Sequence, residues 1–212
     1  FDMYATMNGL FPGIVPSLKD IFDINSSVGF VSFATAGQRM GEIKKALLQK
    51  DSALAVAFAK RFDLKFDDLP GALFFNQNVL RDIALKLKGN PFDNTETLYT
   101  GFPDNLKVNA VAERLPATKD QAQLFARYDR TGKIDKPVVL MHTIYDQLIP
   151  VSYAVTNIEN MIHAQGRDQF FAVKYTNGQA HCQFTDEQTA KAFDAMRNFV
   201  KTGKKPAIEF LP

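Results

Sequence analysis

Residues 137–142, with the sequence PVVLMH, form an almost entirely apolar run of strand length. Such a run is typical of a parallel strand that is buried on both faces. Helical spacing of apolar residues follows in Val151, Val155, Ile158 and Ile162. A second strand is predicted over residues 170–175, and a second helix behind a capping box of Thr185 and Gln188. The order strand–helix–strand–helix predicts an α/β fold with part of a doubly wound, mostly parallel sheet.

The chain divides into three zones of different pattern. Residues 1–37 are rich in Gly, Pro and Phe and have few charges, which predicts a sheet strand and its connection. Residues 38–132 show helical periodicity, and residues 133–212 contain the α/β alternation. Two strands are too few for a stable sheet. We therefore expect an N-terminal segment or a companion chain to complete it.

The helical zone has several predicted helix boundaries. Ser52 is a candidate N-cap, and a longer helix is expected to begin near Pro70 and to end at Gly89. Thr118 and Gln121 match a capping box at the start of a further helix. These helices are expected either to pack a core or to cover a pocket.

Charge and composition exclude several functions. The 25 Lys and Arg against 23 Asp and Glu leave a net charge of +2, which gives no basis for nucleic-acid binding. The longest stretch without charge, residues 3–18, is short and interrupted by Gly and Pro, so no membrane span is predicted. One Cys and three scattered His residues show no metal-ligand spacing. We therefore predict neither a metal nor another cofactor.

Two polar residues follow the predicted strands at the edge where functional groups collect in parallel sheets. Asp146 comes shortly after the first strand and His181 after the second. A carboxylate that holds one imidazole nitrogen would leave the other able to accept a proton from a nucleophile. Asp146 could alternatively cap the next helix. Asp186 is a rival acid, although its position better suits a helix dipole.

The other two histidines have structural interpretations. His142 lies inside the apolar strand, and His163 lies near a helix end, where a cation interacts favourably with the dipole. Neither is predicted to be catalytic.

The segments KPVVLMHTIYDQLIPV (residues 136–151) and GQAHCQFT (residues 178–185) resemble the acid strand and the histidine loop of α/β-hydrolases. Thr143 and Ala180 stand where that family usually has Gly. The resemblance covers about 70 residues and implies a Ser-His-Asp triad with Asp146 and His181. It also implies that residues 38–132 form a helical lid.

The family's nucleophile elbow, Gly-x-Ser-x-Gly, is absent from the chain. Residues 1–9 instead look like the strand that follows the elbow helix. The resemblance therefore implies the C-terminal half of a hydrolase, with the nucleophile and the oxyanion donors upstream.

Cys182 directly follows the candidate catalytic histidine. Its simplest interpretation is a small buried hydrophobic residue. The pair His181-Cys182 also resembles feruloyl esterases and tannases, in which such a Cys is bridged to a Cys beside the nucleophile. That resemblance implies a disulfide to a segment outside this chain and an extracytoplasmic location.

We therefore expect a serine hydrolase that cleaves a small-molecule ester. Two alternatives remain open: a peptidase or amidase with the same triad, and a non-catalytic hydrolase-like subunit that binds a partner.

Overall fold

A computed structural model describes residues 1–211, which form two units, residues 1–129 and residues 130–211. The first unit contains only helices and loops, and the second contains all three strands of a small parallel sheet. The mixed α/β class predicted from the sequence is therefore confirmed in this coarse form.

The first unit is built from six α-helices. They are α1 Asp2–Leu10, α2 Leu18–Phe22, α3 Ala36–Arg61, α4 Leu69–Leu87, α5 Asn105–Val111 and α6 Lys119–Ala126. Short 3-10 turns, Phe33–Thr35 and Phe66–Asp68, precede α3 and α4. The core contains buried side chains from α1, α3 and α4, and the buried hydroxyl of Tyr4 donates to the carbonyl of Leu73 at 2.6 Å.

The strand predicted within residues 1–37 is wrong, because residues 2–10 form helix α1. Tyr4 and Met7 recur at helical spacing and are fully buried, and the hydroxyl of Thr6 donates to the carbonyl of Asp2 within the helix at 2.8 Å. Gly9 allows α5 to approach closely, since a Cβ there would lie 2.4 Å from the carbonyl oxygen of Val111. The glycine that suggested irregular backbone therefore serves helix packing.

Two predicted capping interactions in the first unit are also wrong. Helix α3 is interrupted at Asp51, whose carboxylate accepts the Leu54 amide at 2.9 Å, so the cap lies one residue before Ser52. Helix α6 begins after Thr118 as predicted, but the capping box is absent. Thr118 makes no side-chain cap bond, and the side-chain amide Nε2 of Gln121 donates to the Lys88 carbonyl at 3.5 Å.

The long helix expected near Pro70 is confirmed. Helix α4 has Pro70 in its first turn and ends at Leu87. Lys88 then adopts a left-handed conformation, and Gly89 also has a positive φ, which ends the helix.

The second unit alternates strands and helices as predicted. Its elements are β1 Val138–Thr143, a π-helical turn Ser152–Thr156 that leads into α7 Asn157–Ala164, β2 Phe171–Thr176, α8 Asp186–Thr202 and β3 Glu209–Leu211. The three strands are parallel in the order β1-β2-β3. The capping box of Thr185 and Gln188 is present at the start of α8, and Gly203 ends that helix in a left-handed conformation.

Strand β3 was not predicted from the sequence. It is short and pairs with the last half of β2, where Thr176 lies opposite Leu211. The side chain of Lys174 in β2 is only 2% exposed, and its ammonium donates to the carbonyl of Ala207 at 2.8 Å and lies 2.9 Å from the carboxylate of Glu209. This buried cation connects β2 to the segment that becomes β3.

Candidate active site

The backbone after β1 places Asp146 beside the end of the sheet. The amide of Ile144 donates to the carbonyl of Thr176 at 2.9 Å, which extends the pairing of β1 with β2 by one residue. The chain then turns, and Oδ1 of Asp146 accepts the amides of Leu148 and Ile149 at 2.9 and 2.8 Å. These two bonds hold the carboxylate in one orientation. The Asp146 side chain is buried, with 6% of its surface exposed.

The loop between β2 and α8 positions His181. At its start, Gly178 packs so closely that an added Cβ would lie 2.4 Å from the carbonyl oxygen of Gln183 and 2.9 Å from Cγ2 of Thr143. At its end, Thr185 caps α8. Cys182, between these points, has a left-handed φ of 54°. The loop is thus restrained on both sides of the histidine.

The structure brings Asp146 and His181 together. Nδ1 of His181 lies 2.8 Å from Oδ2 of Asp146, at the carboxyl ends of two adjacent parallel strands. An ionised carboxylate only accepts hydrogen bonds, so Nδ1 carries the proton and Nε2 is the basic nitrogen. The His181 side chain is 34% exposed. This orientation lets the imidazole accept a proton at Nε2 while the carboxylate stabilises the resulting cation.

The hydrogen bonds around Asp146 favour its charged form. Burial alone would raise the pKa of this carboxyl, but the bonds from the Ile149 amide, His181 and the Leu148 amide together outweigh it, and the pKa lies below its usual value. Asp146 therefore remains ionised at neutral pH.

Cys182 adjoins the second imidazole nitrogen. Its Sγ lies 3.4 Å from Nε2 of His181, and its side chain is exposed. The interpretation of Cys182 as a buried hydrophobic residue is therefore wrong, because the loop points this side chain outward. A disulfide to a segment outside the chain stays a prediction.

The remaining candidate residues lie elsewhere. His142 is buried in β1, with Nδ1 2.7 Å from the carbonyl oxygen of Thr143. His163 forms an exposed pair with Asp168, Nδ1 to Oδ1 at 3.0 Å. Asp186 is exposed in the first turn of α8. His142, His163 and Asp186 therefore do not belong to the site that Asp146 and His181 form.

Three polar side chains near the site were given no role in the prediction from the sequence. Oγ1 of Thr143, Oγ1 of Thr176 and Oε1 of Gln147 are buried without a hydrogen-bond partner. Thr143 and Thr176 are paired in register at the last positions of β1 and β2. Their position directly before the candidate acid and histidine loop is the sequence signal that could have identified them.

A cleft of about 390 Å³ lies along the histidine loop and is lined by Asn177, Gly178, Gln179, Ala180, Gln183, Phe184, Thr185 and Gln188. Asp146 and His181 do not line it. The cleft is therefore separate from the paired side chains.

Residues 1–211 contain no group of three or more His, Cys, Asp and Glu side chains arranged to hold a metal ion. In the same residues, none of the helices has both the length and the apolar character needed to cross a membrane.

Comparison with protein-family models, with curated proteins and with solved structures finds no match to this chain. Any functional assignment rests on the geometry described above.

Proposed function

We propose that Asp146 and His181 are the acid and the general base of a serine hydrolase that cleaves esters, with an α/β-hydrolase type of fold. The observation that carries this proposal is the 2.8 Å bond between Oδ2 of Asp146 and Nδ1 of His181 beyond the ends of adjacent parallel strands. The nucleophilic serine and the oxyanion donors would come from a segment or a companion chain outside these 212 residues.

In this mechanism Nε2 of His181 accepts the hydroxyl proton of the serine as its oxygen attacks the ester carbonyl. The imidazolium then donates that proton to the leaving alcohol as the tetrahedral intermediate collapses to an acyl-enzyme. Water repeats the two steps and releases the acid. Asp146 keeps the proton on Nδ1 at the start of each step and stabilises the cation that follows.

The buried position of Asp146 supports this role. Its two backbone hydrogen bonds occupy Oδ1 and leave Oδ2 for the imidazole. A carboxylate that only capped a helix would not need to contact His181. The predicted lid role of residues 38–132 and the completion of the sheet by further strands belong to the same proposal.

The test is an intact-mass measurement after treatment with a fluorophosphonate, on the protein produced from its complete reading frame. We expect one phosphonyl adduct on a serine in the wild-type protein and about 10³-fold slower labelling in the His181→Ala variant. The matched control, His163→Ala, removes the exposed histidine of the other His–Asp pair and should label at the wild-type rate.

Absence of an adduct in the wild-type protein would overturn the proposal and favour a binding subunit without catalysis. If the adduct forms, matched ester and anilide substrates then separate an esterase from a peptidase or amidase.

A further inference from the structure

The thiol of Cys182 completes a row of three interacting groups. Its Sγ lies 3.4 Å from Nε2 of His181, whose Nδ1 lies 2.8 Å from the buried carboxylate of Asp146. Because the carboxylate fixes the proton on Nδ1, Nε2 presents a lone pair toward the thiol. The sulfur is also exposed, so a reagent can reach it. We propose that Cys182 is a free, reactive thiol and a modification site for small disulfides, in place of the structural disulfide that the sequence resemblance implies.

The geometry differs from that of an isolated surface cysteine. A thiolate, not a thiol, is the nucleophile in disulfide exchange, so a base in contact with the sulfur speeds the reaction. The left-handed backbone of Cys182 and the close packing of Gly178 hold the loop so that sulfur and base remain adjacent.

The reaction is a thiol–disulfide exchange. Nε2 of His181 takes the proton of Cys182, and Sγ attacks one sulfur of the disulfide. The S–S bond of the reagent breaks as the new Cys182–S–S bond forms, and the departing thiolate takes the proton from the imidazolium. Cys182 is oxidised to a mixed disulfide, and the other half of the reagent is reduced to a thiol.

The modification has a consequence for the site, and this step alone rests on the proposed function. A group attached to Sγ lies beside Nε2, the nitrogen to which the serine must deliver its proton. We therefore expect the mixed disulfide to inhibit ester hydrolysis and a reducing agent to restore it.

The test uses dithiodipyridine, which releases a thiopyridone with near-ultraviolet absorbance when a thiol reacts. The protein from the complete reading frame is compared with its Cys182→Ser variant, so that the difference in rate belongs to Cys182. General-base assistance contributes about 10²–10⁴-fold in enzyme sites. We expect this exposed thiol to react about tenfold or more faster in the wild-type protein than in a protein without the His181 imidazole.

His181→Ala and His181→Gln should both lose this acceleration, and His163→Ala should retain it. Circular dichroism establishes that each variant is folded, and the smaller change to Gln provides a second variant if Ala does not fold.

An unchanged rate in folded His181 variants would overturn the proposal. So would a wild-type Cys182 that reacts only after reduction, because the cysteine would then be bridged. The thiol rate does not depend on a serine. A fast thiol in a protein without a fluorophosphonate adduct would therefore refute the proposed hydrolase and leave this inference standing.

Discussion

The carboxylate of Asp146 accepts a hydrogen bond from Nδ1 of His181, with 2.8 Å between Oδ2 and Nδ1, although 35 residues separate them in the chain. Oδ2 of this carboxylate accepts the hydrogen bond from the imidazole, and Oδ1 accepts hydrogen bonds from two backbone amides. This hydrogen bond therefore links the turn after β1 to the loop after β2 and keeps the proton of the histidine on Nδ1.

Replacing Asp146 by Ala should remove the preference of His181 for the tautomer with its proton on Nδ1. The Leu148 and Ile149 amides and Nδ1 of His181 would lose their acceptor, so the free energy of unfolding should fall by about 1–3 kcal/mol. Nitrogen-15 NMR of the imidazole should show Nδ1–H in the wild-type protein and a mixture of tautomers in the variant. Asp168→Ala, at the exposed pair with His163, is the control and should leave the His181 spectrum unchanged. A His181 spectrum that does not respond to Asp146→Ala would contradict the bond.

The pKa of Asp146 predicts the direction of a pH effect. Burial raises this pKa, and the hydrogen bonds from Ile149, His181 and Leu148 more than reverse it, so the folded pKa is below the unfolded one. Its contribution to stability is then complete above the ordinary Asp pKa of about 4 and is lost as the pH falls through the lower folded value. Urea unfolding at several pH values should show the wild-type advantage over Asp146→Asn shrinking in acid. A stability difference between the wild type and Asp146→Asn that grows in acid would show that folding does not lower the pKa of Asp146.

Gly178 should not tolerate a side chain. A methyl group there would meet the Gln183 carbonyl oxygen at 2.4 Å and Thr143 Cγ2 at 2.9 Å, so the histidine loop must move. We expect Gly178→Ala to lower the free energy of unfolding by about 1–3 kcal/mol and to slow the reaction of Cys182 with dithiodipyridine. Gly41→Ala, in α3 with no atom near the added Cβ, is the matched control and should stabilise by about 0.5–1 kcal/mol. Equal effects of the two substitutions on stability would contradict the close packing.

The sequence allowed the second unit to be predicted more closely than the first. In residues 137–203 the apolar runs, the Thr185 capping box and Gly203 all indicate the same element boundaries, so local and tertiary preferences agree. The strand within residues 1–37 was predicted from their Gly and Pro content and from the resemblance of residues 1–9 to a hydrolase strand. Gly9 is instead needed for the close approach of α5 to α1, which the sequence does not reveal.

The candidate site was predictable in part for a related reason. Strand order places the ends of β1 and β2 together, so Asp146 and His181 could be paired from topology alone. The contact between Cys182 and Nε2 depends on a left-handed residue that no glycine marks, so the sequence contained no signal for it. Strand β3 was missed because it is short and its attachment depends on the buried Lys174.

Glu209 should hold β3 against β2. Its carboxylate, 51% exposed, lies 2.9 Å from the buried ammonium of Lys174. Glu209→Ala leaves that ammonium with less compensation, and we expect β3 amides to exchange with deuterium about tenfold faster, a change of about 1.4 kcal/mol in local opening. Glu187→Ala removes the exposed partner of Lys191, at 2.7 Å in α8, and should leave β3 exchange unchanged. Unaltered β3 exchange in the Glu209 variant would show that the ion pair does not hold the strand.

Asp51, and not Ser52, should be the cap within α3. The carboxylate of Asp51 accepts the Leu54 amide at 2.9 Å, so Asp51→Ala should cost about 0.5–2 kcal/mol in urea unfolding. Ser52→Ala should change stability by less than about 0.5 kcal/mol. A larger loss from Ser52→Ala than from Asp51→Ala would restore the sequence-based prediction.

The most direct test of the account is the ester-hydrolysis rate of the protein from its complete reading frame, measured on nitrophenyl esters for the wild type, His181→Ala and His163→Ala. If Asp146 and His181 are the catalytic acid and base, His181→Ala lowers kcat by about 10³-fold or more, and His163→Ala retains the wild-type value. Equal rates for the His181 variant and the wild type, or no hydrolysis by the wild type, would contradict the catalytic role of this pair.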